Sequence, residues 1–145
     1  MKIFLDTNIL MDYLVGSCRP NYEASARLLA EVKNNPDISA FVSVQSITDC
    51  SYFFTKKSIT SNDFLLEPVR KILALVRLRA HSDHNVYECF SRSFTDFEDE
   101  MLLRSAIDND CAYFITGDQK ILEKQPFPLI KAIHPADFLA KAAAK

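Results

Sequence analysis

Short apolar runs alternate with helix-patterned segments along this chain, and this alternation constrains the fold more than any other feature. Apolar runs at 2–5, 38–44 and 111–116 are each followed by a segment with helical spacing of its apolar residues. Strands joined through helices run parallel, and a parallel sheet is covered by helices on both faces. We therefore predict an α/β fold, a three-layer α/β/α sandwich with a central, mostly parallel sheet.

The same patterns give the expected order of elements. Strands are predicted at 2–5, 38–44, 79–82, 111–116 and 129–133, and the main helices at 22–33, 45–57, 63–77, 84–93 and 97–110. A terminal helix is expected to open at Pro135, because proline is favoured in the first helical turn. Residues 1–140 are predicted to form a single domain, and the Ala-rich segment 141–145 is expected to fray.

Composition excludes several classes of protein. The 145 residues are 48% hydrophobic and 25% charged, which is typical of a globular domain and not of a disordered chain. Only 2 glycines are present, so a Gly-rich phosphate-binding loop cannot be formed. The net charge of −2 excludes an overall basic coat for nucleic acid, although a local basic patch remains open.

Cysteine and hydropathy patterns favour the cytoplasm. The four cysteines, at positions 18, 50, 89 and 111, form no C-x-x-C pair, so we interpret them as small core residues in a reducing compartment. Asp6 ends the first apolar run early, so we expect no secretory signal. No apolar run approaches the ~20 residues that span a membrane, so no membrane association is expected.

Two aspartates follow predicted strands directly. Asp6 comes after I-F-L, and Asp118 lies two residues after F-I-T. In an open parallel sheet, sites form at the carboxyl ends of the strands, so these two side chains are candidates for a shared site. The alternative is that each is an ordinary helix N-cap.

Asp99 lies on the apolar face of the predicted helix 97–110. It precedes Leu102, Leu103 and Ala106 by three, four and seven residues and therefore shares their side of the helix. A carboxylate there is costly unless it is paired or binds a cation. The alternative is dipole pairing in the first helical turn, with Asp96 as the N-cap.

A fourth acid, Asp49, follows the predicted strand 38–44 within the first turns of a helix, where it could also be a half-exposed carboxylate. Four carboxylates at one end of a sheet would repel one another and raise each pKa, and a divalent cation would relieve that repulsion. With oxygen ligands only, Mg²⁺ or Mn²⁺ is expected, and such sites serve phosphoryl chemistry. The other aspartates, Asp12 among them, are interpreted as caps or solvated positions.

Four segments of the sequence resemble PIN-domain ribonucleases, of the kind found as VapC-type toxins of bacterial toxin–antitoxin pairs. They are I-F-L-D-T-N-I-L-M-D at the start, S-V-Q-S-I-T-D after the second strand, D-F-E-D-E-M-L-L-R-S-A on the late helix, and Y-F-I-T-G-D. They occur in the family's order and span residues 1 to 123, most of the chain. The combination of D-T-N, D-F-E-D and I-T-x-D is specific.

The resemblance implies the roles of individual residues. Asp6, Asp49, Asp99 and Asp118 are then the catalytic acids, and Asp6, Asp99 and Asp118 the metal ligands. Three further residues are implied as supporting members: Asn8, Asp96 and Thr116. The family usually has Glu where this chain has Asp49, whose shorter side chain favours contact with metal through water.

The resemblance implies a Mg²⁺- or Mn²⁺-dependent endoribonuclease acting on RNA, with an antitoxin protein as a possible partner. The exposed phenylalanines expected among the 11 in the chain would suit a homodimer. One alternative is a PIN-fold module without catalysis that binds RNA or protein, which the Asp49 substitution favours. A receiver-like phosphoacceptor domain fits poorly, because its early acidic pair is missing. Arg79 and Arg104 are among the candidate phosphate contacts.

Overall fold

A computed structural model describes residues 1–56, 62–91, 96–125 and 128–144, in which helices and strands alternate. The strands are β1 (Lys2–Leu5), β2 (Ser39–Ser43), β3 (Val76–Arg79), β4 (Tyr113–Ile115) and β5 (Lys131–Ile133). The helices are α1 (Thr7–Val15), α2 (Tyr22–Asn34), α3 (Val44–Lys56), α4 (Asn62–Leu73), α5 (Asp83–Ser91), α6 (Phe97–Asp108), α7 (Gln119–Lys124) and α8 (Pro135–Ala143). None of these helices is long and apolar enough to cross a membrane.

The five strands form one sheet in the order β3-β2-β1-β4-β5, and every neighbouring pair is parallel. The predicted parallel sheet is therefore confirmed. The chain adds β2 and β3 on one side of β1, and then β4 and β5 on the other. This reversal creates a switch point between β1 and β4, where a crevice opens at the carboxyl ends of the strands.

The sheet separates two apolar cores, because successive side chains of a strand point to opposite faces. Ile3 and Leu5 of β1 face a core shared with α1, α2 and α8, whereas Phe4 faces a core shared with α6 and α7. The rings of Phe4 and Phe114 stack on that second face, with centroids 6.2 Å apart. The three-layer α/β/α architecture follows directly from these two cores.

The boundaries around β3 differ from the sequence prediction. The helix expected at 63–77 ends at Leu73, and the strand expected at 79–82 begins at Val76. Leu73, Leu75 and Val76 continued the helical spacing, so no local signal marked the turn. Pairing with β2, which places Ala40 opposite Val76, selects the strand instead. At the other end of the chain, α8 continues to Ala143, into the segment expected to fray.

Three of the four cysteines are buried, as expected of small core residues. They are Cys50, Cys89 and Cys111, whereas Cys18 is exposed on the turn that follows α1. All four are free thiols. Burial raises the pKa of the Cys89 and Cys111 thiols, which keeps them protonated and unreactive.

Asp12 is buried, which corrects its interpretation as a cap or solvated position. Its side chain is 2% exposed on α1 and accepts hydrogen bonds from Arg19 Nε at 2.6 Å and Ser25 Oγ at 3.1 Å. These bonds tie the loop after α1 and the start of α2 to one carboxylate. No local pattern predicts this burial, because the partners lie seven and thirteen residues away and outside the helix of Asp12.

Replacing Arg19 by Ala should destabilise the fold by about 1–3 kcal/mol. Removing one partner of a fully buried pair costs about 3–5 kcal/mol, and we expect less here because the Arg19 side chain is 34% exposed. Urea denaturation measures the difference, with Arg27→Ala on the exposed side of α2 as the matched control. Equal stabilities for the two variants would contradict a structural role for the pair.

Candidate active site

Asp6 lies at the switch point, immediately after β1. It has an extended backbone and occupies the N-cap position of α1, and its side chain is only 4% exposed. Its backbone N–H donates to the Ile115 carbonyl at 3.0 Å, which fixes it against the end of β4. Its Oδ2 accepts hydrogen bonds from Thr116 Oγ1 at 2.5 Å and Asn8 Nδ2 at 2.6 Å. The carboxylate is therefore held in one orientation.

Asn8 and Thr116 join the ends of β1 and β4 into one polar network. Asn8 Nδ2 also approaches Thr116 Oγ1 at 3.2 Å, and Asn8 Oδ1 accepts from the Gly117 N–H at 3.0 Å. Thr116 is fully buried, and its Oγ1 accepts from the Asp118 N–H at 2.9 Å. The two residues predicted as supporting members thus position Asp6 and the loop that carries Asp118.

Asp118 is an N-cap as well as a candidate site acid. Its Oδ1 accepts from the backbone N–H groups of Lys120 at 2.7 Å and Ile121 at 3.4 Å, at the start of α7. The preceding Gly117 leaves room for Asn21, because a Cβ atom at 117 would lie 2.7 Å from Asn21 Nδ2. Glycine there allows α2 and this loop to approach closely.

The first turn of α6 brings further acids to the same place. Asp96 is the N-cap and accepts from the N–H groups of Glu98 at 3.1 Å and Asp99 at 3.4 Å, so the capping interpretation of Asp96 is confirmed. Asp99 is half-buried, on the same helix as the buried Leu102 and Leu103.

Burial and neighbouring carboxylates raise the pKa of two of these acids. The pKa of Asp6 rises to about 6, mainly through burial and partly through Asp118, although the Thr116 hydroxyl opposes the shift. The pKa of Asp99 rises to about 7 through burial, followed by the charges of Asp6, Asp96 and Asp118. Asp6, Asp99 and Asp118 therefore repel one another as charged groups, which is what a cation would relieve.

Glu98 is an additional acid near the site that the sequence patterns did not indicate. Its Oε1 accepts from Thr7 Oγ1 at 3.4 Å, and its pKa is raised by burial, then by Asp49 and by Asp6. Asp49 therefore lies beside Glu98, on the α3 side of the site. The available signal was position, because Glu98 precedes Asp99 in the first turn of a helix whose start faces the other acids.

The donor atoms suit a hard divalent cation, although they do not form a ready-made ligand shell. Within the four described ranges, no three Asp, Glu, His or Cys side chains lie close enough together to hold one ion. The available donors are nevertheless all oxygens, as Mg²⁺ and Mn²⁺ prefer. In addition, Asp49 Oδ2 is buried, and no hydrogen-bond donor among the described residues reaches it, so it can accept a hydrogen bond from a bound group.

Two arginines that were candidate phosphate contacts are held within the protein. Arg79 Nε donates to Asn109 Oδ1 at 2.5 Å. Arg104 donates to Glu100 from both Nε and Nη2 at 3.2 Å and lies 3.4 Å from Glu88, and its side chain is 12% exposed. Both side chains are engaged between elements of the fold, so we do not assign them to phosphate.

Replacing Thr116 by Val should destabilise the protein by about 1–3 kcal/mol at neutral pH. The substitution keeps the shape but removes the hydroxyl, so the Asp6 carboxylate and the Asp118 N–H each lose a partner. The pKa of Asp6 should rise further, because the Thr116 hydroxyl lowers it. Urea denaturation measures the loss, and Thr116→Ser should restore most of it. A serine variant as unstable as the valine variant would show that packing, and not the hydroxyl, matters.

Solved structures with the same fold come from bacteria and archaea. A VapBC2 structure from Rickettsia felis matches with a TM-score of 0.67 and 16% identity, covering 92% of this chain and 98% of that one. The protein PAE2754 from Pyrobaculum aerophilum gives 0.64 and 15%, covering 100% and 97%. VapC20 from Mycobacterium tuberculosis gives 0.65 and 12%, covering 89% and 98%. At these identities the matches establish the fold.

Sequence comparison assigns the family. No curated protein sequence gives a significant match. A profile of the PIN domain, however, matches residues 2–120, which include Asp6, Asp49, Asp99 and Asp118. The four motifs that suggested the resemblance all lie in this range. The chain belongs to the PIN domain family.

Proposed function

We propose that this chain is a divalent-metal-dependent endoribonuclease. The observation that carries the proposal is the buried Asp6, held in one orientation by Asn8 and Thr116 beside two further acids at the switch point of the sheet. A buried carboxylate whose pKa is raised to about 6 is costly for folding alone, so its burial favours a role in a site. The PIN domain match supports the same class of chemistry.

In this proposal Asp6, Asp99 and Asp118 hold Mg²⁺ or Mn²⁺ together with water, because the three carboxylates do not form a complete ligand shell by themselves. Asp49 lies at the edge of the site. A bound divalent cation would lower the pKa of water and neutralise charge on a phosphodiester. Asp49 Oδ2 is buried and has no hydrogen-bond partner among the described residues, which supports the assignment of Asp49 to the site. The short Asp49 side chain favours contact with the metal through water. Glu98 adds a longer carboxylate beside Asp49.

The surrounding residues have defined tasks in the proposed site. Asn8 and Thr116 fix the direction of the Asp6 carboxylate, which limits the positions that a cation and a phosphate can occupy. The N-cap bond to Lys120 fixes the Oδ1 atom of Asp118 and leaves its other oxygen available as a ligand. Asp96 anchors the first turn of α6 and so places Asp99.

We also propose that the chain acts as the toxin of a toxin–antitoxin pair in the cytoplasm, with RNA as substrate, an antitoxin as partner and a homodimer as its assembly. Two of the structural neighbours support this. One was solved as VapBC2 bound to a DNA fragment from its promoter, and the other is described as a toxin that cleaves the sarcin–ricin loop. A short neighbouring gene for a DNA-binding antitoxin would support the pairing.

A cleavage assay with purified protein tests the nuclease proposal. Wild type should cut RNA with Mn²⁺ or Mg²⁺ and stop cutting when EDTA is added, whereas Asp6→Asn should be inactive under all conditions. Asp137→Asn, which changes an exposed acid on α8, is the matched control and should retain activity. Cleavage by Asp6→Asn at the wild-type rate would overturn the assignment of the site.

The second candidate is a PIN-fold module that binds RNA or protein without catalysis. The observation that favours it is Asp49, whose side chain is shorter than the glutamate usual in the family. This hypothesis is favoured over the nuclease if wild type binds RNA but cuts none with either Mn²⁺ or Mg²⁺. An Asp49→Glu variant that gains cleavage would identify the substitution as the cause.

A further inference from the structure

Three aromatic side chains form an exposed stripe on α5 and the start of α6. Tyr87 and Phe90 are three residues apart on one face of α5, and each is 75% exposed. Phe97, the first residue of α6, is 44% exposed, and its ring centroid lies 4.9 Å from that of Phe90, with the planes tilted by 40°. We call Tyr87, Phe90 and Phe97 the aromatic stripe. A contiguous patch of exposed aromatic rings indicates a binding surface.

The aromatic stripe ends at the candidate active site. Phe97 lies between Asp96, the cap of α6, and Glu98, and it precedes Asp99 by two residues. One end of the stripe therefore shares a helical turn with acids assigned to the site. The stripe and these acids therefore meet at the N-terminal end of α6.

The stripe by itself is too small to hold two copies of the chain together. An aromatic side chain buries 150–250 Å² when it is covered completely, so three rings with these exposures offer on the order of 400 Å² per copy. Two copies that met through the stripe alone would bury about 800 Å², below the roughly 1,000 Å² expected of a specific interface. The area suits a ligand that contributes flat rings of its own.

We propose that the aromatic stripe is a stacking platform for the bases of single-stranded RNA entering the active site. The proposal rests on the proposed nuclease function and names the form of its substrate. With a net charge of −2 and acids at the site, the protein cannot rely on an overall basic coat to hold a phosphate backbone. Stacking on aromatic rings supplies affinity from the base faces instead, and it tolerates any base.

Binding of a fluorescein-labelled oligoadenylate, followed by anisotropy in EDTA, tests the platform without cleavage. Because each stacked base is worth about 1–3 kcal/mol, Phe90→Ala should weaken binding by about five-fold or more. Tyr87→Ala should act in the same direction, and Phe90→Trp should bind at least as well as wild type. Leu129→Ala, which shortens a side chain 78% exposed on another part of the surface, is the control and should not change binding.

A second probe with the same backbone but abasic sites separates stacking from backbone contacts. It should bind wild type weakly and should bind Phe90→Ala equally weakly. The proposal is overturned if wild type does not bind oligoadenylate, or if Phe90→Ala binds it as well as wild type does. It is also overturned if Phe90→Ala weakens binding of the abasic probe as much as binding of oligoadenylate. It is also overturned if sedimentation shows a wild-type dimer that Phe90→Ala converts to a monomer, because a second copy would then cover the stripe.

The outcomes distinguish the platform from the nuclease itself. Loss of cleavage in Asp6→Asn, together with unchanged RNA binding in Phe90→Ala, would leave the nuclease proposal intact and remove the platform. The opposite result is also possible: wild type cuts no RNA with Mn²⁺ or Mg²⁺, but its binding depends on the bases and is weakened by Phe90→Ala. That result would support the platform and contradict the nuclease proposal.

Discussion

Asp99→Asn is expected to lower RNA cleavage by at least about 100-fold while leaving the fold as stable as wild type or more stable. Replacing a residue that only hydrogen-bonds to a metal ligand typically lowers metal affinity or activity 10–100-fold. Replacing a metal ligand should therefore lower activity further. The gain in stability follows from electrostatics. Burial and the neighbouring acids raise the pKa of Asp99 to about 7, so the charged form is unfavourable in the metal-free protein.

The direction of the stability change separates this role from helix capping. If Asp99 served only the dipole of α6, its replacement would destabilise the protein by about 0.3–1 kcal/mol. Relief of repulsion should instead raise the melting temperature, by roughly 2–4 °C for each kcal/mol gained. Thermal melting in EDTA, beside a cleavage assay with Mn²⁺, measures both quantities, and Asp137→Asn provides the matched loss of an exposed acid. A variant that cuts normally and melts earlier would leave Asp99 as a capping residue.

The parallel sheet could be predicted because the alternation of strands and helices depends on local patterns, whereas the order of the strands could not. The runs I-F-L and Y-F-I are short, apolar and ended by polar residues, so both β1 and β4 were recognised, as were the helices that follow them. The predicted start of β3 was wrong because Val76 fits the apolar face of a helix as well as a strand. Only its pairing with Ala40 decides between the two, and that contact is not encoded nearby in the sequence.

The candidate site was predictable where strand ends carry it and less so elsewhere. Asp6 and Asp118 follow strands, so the topology brings them together once β1 and β4 are neighbours. The role of Thr116 was implied by the family resemblance alone. Glu98 was missed because its neighbour Asp49 comes from another helix. The burial of the Asp12 carboxylate was not predicted for the same reason, because its partner Arg19 lies outside its helix. Long-range pairs of this kind leave no periodic signal.

Mn²⁺ is expected to stabilise wild type strongly at pH 8 and weakly at pH 5. In the metal-free protein the pKa values of Asp6 and Asp99 lie near 6 and 7, above the ordinary value of 3.8. The stability that these groups contribute is fully present below about 3.8 and is lost as the pH rises through 6 to 7. Their charged forms are therefore a cost at pH 8, which a bound cation removes, whereas at pH 5 protons compete with the metal.

At a hundredfold excess of Mn²⁺ over its dissociation constant, the stabilisation at pH 8 should be about 2.7 kcal/mol, a rise in melting temperature of roughly 5–11 °C. Melting curves at pH 5 and pH 8, with and without Mn²⁺, measure this difference. Asp6→Asn and Asp99→Asn should lose most of the shift, and Asp137→Asn should keep it. A shift in wild type that is the same at both pH values, or that survives in Asp6→Asn, would place the bound ion outside these acids. If Mn²⁺ does not change the melting temperature and wild type cuts no RNA, the acids at the switch point do not bind this metal. The non-catalytic binding module then explains the function better than the nuclease does.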